Sequence, residues 1–305
     1  MAATLDAGQT AARLPWPALV DEIEALLRDA SVRIPERIVM PTAPGAVLFV
    51  MPGCDARVAM TKLISFTPAN VGTATPTIQG DVTVFDVASG TRRVILDGPT
   101  VTARRTAAVS ALGARWLAPN TAGPMLIVGA GVQGRAHLEV FAQVLGVSRF
   151  FIASRSAASA RALVDHAQAL GLQAELAPDA DAALAGCPLA VTCTPASGVV
   201  LRALPRPDAF IAAVGAFTPQ MVELAPALCR HMADRGRIVV DTREAEHEAG
   251  DLLQAGIDVA ACPSLGDVVR AGQPGGRGPV LFKSCGWAGW DLAAARLAAR
   301  GPEKA

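Results

Sequence analysis

The chain carries no excess charge of either sign, since 27 Lys and Arg stand against 27 Asp and Glu. A polyanionic partner therefore meets no overall attractive field, and no basic run with interleaved aromatics marks a nucleic-acid surface. No uncharged apolar run approaches the length of a membrane span. The opening segment, with Asp6, Asp21, Glu22 and Glu24, lacks both a basic start and an apolar core, so no signal peptide is expected there. The cytoplasm is the expected location. The six cysteines (Cys54, Cys187, Cys193, Cys229, Cys262 and Cys285) form no CxxC and no His-Cys cluster, and so read as small buried apolar residues in a reducing compartment. The four histidines (His137, His166, His231, His247) are equally dispersed, each in a predicted helix or its flank. Surface or satisfied core positions are expected for them, and no metal is expected.

What is present is apolar content, 51% of 305 residues, enough to fill the cores of two domains. From Pro15 to Leu27 apolar residues fall at helical spacing with acidic residues between them. Between Ile38 and Leu96 the short β-branched runs Ala46–Val50, Asp81–Phe85 and Arg93–Leu96, separated by Pro and Gly turns, predict an antiparallel sheet. An alanine-rich helix follows from Thr100 to Leu117, and Pro119–Pro124 reads as a linker.

Beyond it strands and helices alternate. Six strands are predicted, at Met125–Val128, Phe150–Ala153, Gln173–Leu176, Leu189–Cys193, Phe210–Val214 and Ile238–Asp241. The expected class is α/β: a Rossmann-type doubly wound nucleotide domain over 119–287, plus an α+β domain over 1–118. A closing helix from about Trp290 to Ala299 is expected to bring 288–305 back onto the first domain. Only the last few residues read as disordered.

The most specific motif is Pro124-Met-Leu-Ile-Val-Gly-Ala-Gly-Val-Gln-Gly134, a buried strand running into a glycine turn and then a helix. Gly129 permits the turn, Gly131 lets the backbone approach a pyrophosphate, and Gly134 lets the helix pack close to the strand. The phosphates would rest on the helix's amino terminus, where unpaired N–H groups and the helix dipole favour negative charge. Gly129, Gly131, Val132, Gln133 and Gly134 are thus candidate cofactor-binding residues, as is Thr194, just past the fourth strand. At the end of the second strand an NAD site usually offers Asp or Glu to the ribose 2′-OH. This chain has Ser154-Arg155-Ser156 instead, a guanidinium and two hydroxyls suited to a 2′-phosphate. Arg155 is otherwise a solvent-facing loop residue. NADPH is the expected cofactor and NADH the less favoured one.

Selectivity must come from elsewhere, and the first domain holds four noteworthy cations, Arg37, Lys62, Arg104 and Arg105. Each alone fits a solvated surface charge. Lys62, however, opens a largely neutral segment, and one of the paired arginines, on a helix of mostly small apolar residues, is expected to point inward. Convergent Arg and Lys side chains would grip a carboxylate and orient the carbon beside it against a nicotinamide.

Taken in order, Lys62 with Thr67-Pro-Ala-Asn70, then Gly80, Asp86 and Gly90, Thr102-Ala-Arg-Arg-Thr-Ala-Ala108, the glycine motif, and Phe282-Lys-Ser-Cys-Gly286 with Asp291-Leu-Ala-Ala-Ala295 resemble the ornithine cyclodeaminase/μ-crystallin family, over about residues 35 to 297. The group includes cyclodeaminases, alanine dehydrogenases and cyclic ketimine reductases, together with a hormone-binding lens protein. The resemblance implies a homodimer paired through the sheet of the first domain. It also implies that Arg37, Lys62 and Arg105 contact a substrate carboxylate, whereas Arg104 has no match. Lys62 is the candidate catalytic residue, able to hydrogen-bond near an imine nitrogen.

One departure matters. The family's cyclodeaminases carry aspartate in the loop after the fifth nucleotide-domain strand, where this chain has Phe217. Phenylalanine cannot manage an amine's protons, but it can wall the methylenes of a flat ring. The expected activity is NADPH-dependent reduction of cyclic imino acids. Open-chain amino acid dehydrogenation, cyclodeamination and ligand binding without turnover are the alternatives. Thr61, Thr106, Asp241 and Ser284 lie in or beside these motifs without an assigned role.

Overall fold

The computed structural model describes residues 3–70, 73–195 and 198–301. The last four residues, expected to be disordered, lie outside the described ones. The chain forms two compact units, Met1–Arg105 with Trp287–Ala305, and Thr106–Gly286. The division falls within one continuous helix rather than at the linker expected near residue 119.

The first unit begins with β1 (Ala3–Thr4), α1 (Ala7–Ala12) and α2 (Trp16–Arg28). α2 starts where Pro17 suits a first helical turn, and it buries Trp16, Leu19, Val20, Ile23, Leu26 and Leu27 along one stripe. A meander follows, of β2 (Ile38–Ala43), β3 (Ala46–Cys54), β4 (Val58–Phe66), β5 (Ile78–Asp86) and β6 (Arg92–Asp97). The sheet order is β1-β6-β5-β4-β3-β2, antiparallel except where β1 joins β6. β2 and β4 are additions to the predicted strands. β4 escaped prediction because a lysine stands in its buried row, Met60, Lys62, Ile64. Across the ladder that row meets Val82 and Val84 of β5 and, beyond them, Leu96 and Val94 of β6.

The helix leaving β6 is α3 (Gly98–Leu117). It leads into a seven-stranded, all-parallel sheet built from β7 (Met125–Val128), α4 (Val132–Leu145), β8 (Arg149–Ala153), α5 (Ala157–Ala169), β9 (Gln173–Leu176), α6 (Ala180–Leu184), β10 (Leu189–Thr192), β11 (Phe210–Ala213), α7 (Pro226–Arg235), β12 (Arg237–Val240), α8 (Gly250–Gln254), α9 (Leu265–Ala271) and β13 (Val280–Lys283). Strand order is β12-β13-β11-β10-β7-β8-β9. Prediction found six of these strands. The seventh, β13, inserts between β11 and β12, and its Lys283 is wholly buried, which a sequence reading assigns to the surface. β7, β10, β11 and β13 are buried throughout, as expected of strands covered on both faces. The direction of winding reverses between β7 and β10, the place where such sheets open a crevice at the strands' carboxyl ends.

The chain ends in α10 (Ala288–Ala299), which belongs to the first unit and packs against α2 and the buried face of the meander sheet. Ten of its residues are buried, six of them alanine or glycine, so backbone and strands approach closely. Among the described residues no helix is long and apolar enough to cross a membrane.

Candidate active site

In the second unit β7 runs into a turn that only glycine can make. Gly129 adopts φ +119, and a Cβ on it would stand 2.8 Å from the Cys193 carbonyl oxygen. A Cβ on Gly134 would stand 2.0 Å from the Gly129 oxygen, so any side chain there would push α4 off the strand. Gly131 is different. It caps α4 without any side-chain hydrogen bond, and a Cβ on it would meet nothing within 4 Å.

That open space belongs to a cavity of about 730 Å³, lined by Gly129, Gly131, Ser154, Arg155, Ser156 and Thr194 among others. The uncapped helix end therefore faces room for a diphosphate, and the residues fit a dinucleotide. Val132 and Gln133 sit in the first turn of α4, outside the cavity's lining, where their amides are what they can offer. Gly134 shapes the turn from behind. Arg155 is exposed beside Ser156, whose hydroxyl caps α5. Two carboxylates also line this cavity, but each is engaged with backbone amides. Asp179 caps α6 at Ala182, and Asp181 holds the amides of Arg202 and Ala203 at 2.6 and 2.8 Å.

Thr194 is held from below by a buried network that the sequence did not announce. Glu223 accepts from the Thr194 amide (2.7 Å) and hydroxyl (2.8 Å), the Thr192 hydroxyl (2.9 Å) and the Gly215 amide (2.7 Å). Asp251 accepts the amides of Glu223 and Leu224, and the Lys283 ammonium donates to Asp251 (2.7 Å) and to the Ala216 carbonyl (2.6 Å). The ends of β10 and β11 are thereby fixed together. Burial pushes the Glu223 carboxyl upward. Burial also pulls the Lys283 ammonium downward, but the Asp251 carboxylate and the neighbours Cys285 and Glu223 outweigh it, and Lys283 is raised. Phe217 follows Ala216 with its ring 42% exposed, outside the cavity's lining.

In the first unit two of the four noted cations meet at one carboxylate, and a third, Arg37, acts on one of them. Lys62 Nζ lies 2.8 Å from Asp291 Oδ2, and Arg105 Nε donates to Asp291 Oδ1 at 3.2 Å. All three side chains are buried, Asp291 completely. Lys62 is lowered to about 8, chiefly by burial. Asp291 opposes the shift, while Arg105 and the half-buried Arg37 add to it. Arg104 turns away, donating to the Leu14 carbonyl with its guanidinium 3.8 Å above the Trp16 ring. Arg105 is thus the inward member of the pair, and Asp291, which the sequence offers only as part of a motif without a role, is the carboxylate it meets. Its signal was present as the acidic residue inside an otherwise alanine-rich helix.

Other positions resolve plainly. Asp241 accepts the Ser284 hydroxyl (2.8 Å) and the Gly286 amide (2.9 Å), which fixes the turn after β13. His137, buried between Ser110 and the Gln133 carbonyl, is pushed down to about 4 by burial and stays neutral. The six cysteines are free, and among the described residues no group of His, Cys, Asp or Glu could hold a metal.

The model of the ornithine cyclodeaminase/mu-crystallin family matches residues 7–300. The chain belongs to that family. Within it, the chain is 38% identical to Delta(1)-pyrroline-2-carboxylate reductase 2 of Burkholderia ambifaria, over 96% of this chain and 94% of that one. It is 39% identical, with the same coverage, to a Delta(1)-pyrroline-2-carboxylate/Delta(1)-piperideine-2-carboxylate reductase of Azospirillum brasilense. Among solved structures, the Thermococcus litoralis Delta(1)-pyrroline-2-carboxylate reductase in complex with NADH and L-proline shares the fold. It shows 22% identity and a TM-score of 0.88, covering 98% of this chain and 96% of that one.

Proposed function

We propose that this chain reduces cyclic 2-imino acids with a reduced nicotinamide dinucleotide, converting Δ1-pyrroline-2-carboxylate to L-proline and Δ1-piperideine-2-carboxylate to L-pipecolate. The observation that carries the reading is the imbalance at Asp291. Two buried cations, Lys62 and Arg105, share the single carboxylate of Asp291, and Arg37 adds its field at Lys62, a cationic setting suited to a substrate carboxylate. The reductase names of the family members cited above supply the substrate class.

The reduced cofactor, when bound, supplies the hydride. Everything else falls to the protein. Arg105 and Arg37 grip the substrate carboxylate, arginine being able to make two parallel bonds. Lys62 shares that carboxylate and, with its pKa near 8, can place a proton-bearing group at the ring nitrogen at neutral pH. Fixing the carboxylate orients the adjacent imine carbon, and such positioning supplies much of the barrier reduction in hydride transfer. Phe217, where the cyclodeaminases have a carboxylate, offers no group to manage an amine's protons, which favours reduction over cyclodeamination.

NADPH is the proposed cofactor. Ser154, Arg155 and Ser156 line the cavity where a ribose 2′-substituent would lie, and no carboxylate follows β8 to select a free hydroxyl. A homodimer is also proposed. The meander sheet's open face presents Ile38 (58% exposed), Met40 (47%) and Leu63 (44%), an apolar row that gains from being covered by a second copy.

The test is NADPH oxidation with Δ1-piperideine-2-carboxylate beside pyruvate plus methylamine. Turnover of the cyclic imine alone is the expected result. Turnover of the open-chain pair alone moves the activity to amino acid dehydrogenation, ammonia released from ornithine with NAD⁺ indicates a cyclodeaminase, and silence on all three favours a binding protein.

A further inference from the structure

We propose that Asp291 is a positioning residue of the carboxylate site, a resident counter-ion on α10 that holds the Lys62 ammonium and the Arg105 guanidinium side by side so that one incoming carboxylate can bridge them. The proposal rests on the functional reading above and concerns what that reading leaves unexplained, a fully buried acid at the centre of a site built to receive an acid.

The two cations come from different elements, β4 and α3, and no backbone geometry forces their heads together. Each instead touches a different oxygen of the same carboxylate, at 2.8 and 3.2 Å. Asp291 is 0% exposed, so its charge is not diluted by water, and α10 is held at both of its neighbours by further buried ion pairs. Arg296, one turn on, meets Glu22 of α2 at 2.7 Å and Asp55 of the β3–β4 turn at 3.3 Å. The carboxylate is therefore a fixed point to which both cations are tied.

At Lys62, Asp291 is set against two like charges. The charged groups acting on Lys62 are Asp291 from α10, Arg105 from α3 and Arg37 ahead of β2; its ladder neighbours, Met51 on β3 and Val82 on β5, carry none. Burial and the two arginines favour the neutral amine, and Asp291 opposes them. Asp291 thus favours the charged form of Lys62. Removing that carboxylate drives the lysine's pKa further below 8, so the site loses a cation at progressively lower pH.

The test is the pH dependence of carboxylate binding, read by calorimetry with pyrrole-2-carboxylate, a flat five-membered ring that carries the acid but has no reducible imine. In the wild type, affinity falls as pH rises through about 8. In Asp291→Asn the fall moves to lower pH by about one unit or more, which is about fivefold weaker binding at pH 8 and about tenfold weaker well above it. Asp291→Glu restores most of the wild-type profile. Lys62→Arg, whose head stays charged, removes the fall altogether, and it reports on the same point if the asparagine variant fails to fold. A profile that does not move in Asp291→Asn, or that persists unchanged in Lys62→Arg, overturns the proposal while leaving the functional reading intact. Absence of binding by any cyclic carboxylate in the wild type, with no imine turnover, overturns both.

Discussion

Lys62 and Lys283 are both withdrawn from water into the middle of a sheet, yet they end in opposite states. Lys283 has Asp251 and the Ala216 carbonyl within 2.7 Å and a second carboxylate, Glu223, nearby, and its pKa is raised. Lys62 has one carboxylate and two guanidinium groups acting on it, and its pKa is lowered to about 8. Burial is the same cost in both places, so the difference lies in the company each keeps. A buried lysine whose partners are all supplied by the fold is a structural rivet. One that shares its single carboxylate with other cations is suited to receive an anion, and that contrast supports the proposed carboxylate site in the first unit.

The comparison breaks if the two lysines respond alike to removal. Lys283→Met strands Asp251 and the Ala216 carbonyl in the core, and urea unfolding should show a loss of about 3–5 kcal/mol, the usual cost of halving a buried pair. Lys62→Met leaves Asp291 paired with Arg105, so its stability loss should stay under about 2 kcal/mol, while affinity for pyrrole-2-carboxylate falls by about 30-fold or more. Equal losses of stability from the two variants would erase the distinction between rivet and site. A smaller effect belongs to the second unit's cavity, where Arg155→Asp should shift the NADPH-over-NADH preference by about tenfold toward NADH. An unchanged ratio in steady-state kinetics would remove Arg155 from cofactor choice. Smallest in energy is Leu63→Lys on the open sheet face, which should leave the unfolding free energy within about 0.5 kcal/mol of wild type for the isolated fold and lower the sedimentation coefficient to that of a monomer.

How much of this the sequence made legible follows from how local each signal is. The strand–turn–helix around Gly129 and Gly134 is contiguous, and its steric requirements are met within six residues, so it could be read directly. Arg155 could be read from its place after a predicted strand. Lys62 and Arg105 stood out through family resemblance and an unusual setting, but their meeting at Asp291 spans most of the chain and exists only once α10 folds back. The Glu223–Asp251–Lys283 network is equally nonlocal. Its three charges are spread over sixty residues and each alone reads as surface, which is also why β13 was not recognised as a strand. β4 went unrecognised for the same reason. In both units the rule that lysine lies outside failed at the position where a lysine has the most to do.

The most direct test of the account compares steady-state reduction of Δ1-piperideine-2-carboxylate with that of Δ1-piperideine, the same ring without its acid. If the Arg37, Lys62 and Arg105 cluster orients substrate through a carboxylate, the acid-bearing ring should be favoured in kcat/KM by on the order of 100-fold or more, and Lys62→Met should remove most of that preference. Equal reduction of the two rings, or a preference that survives in Lys62→Met, would contradict it.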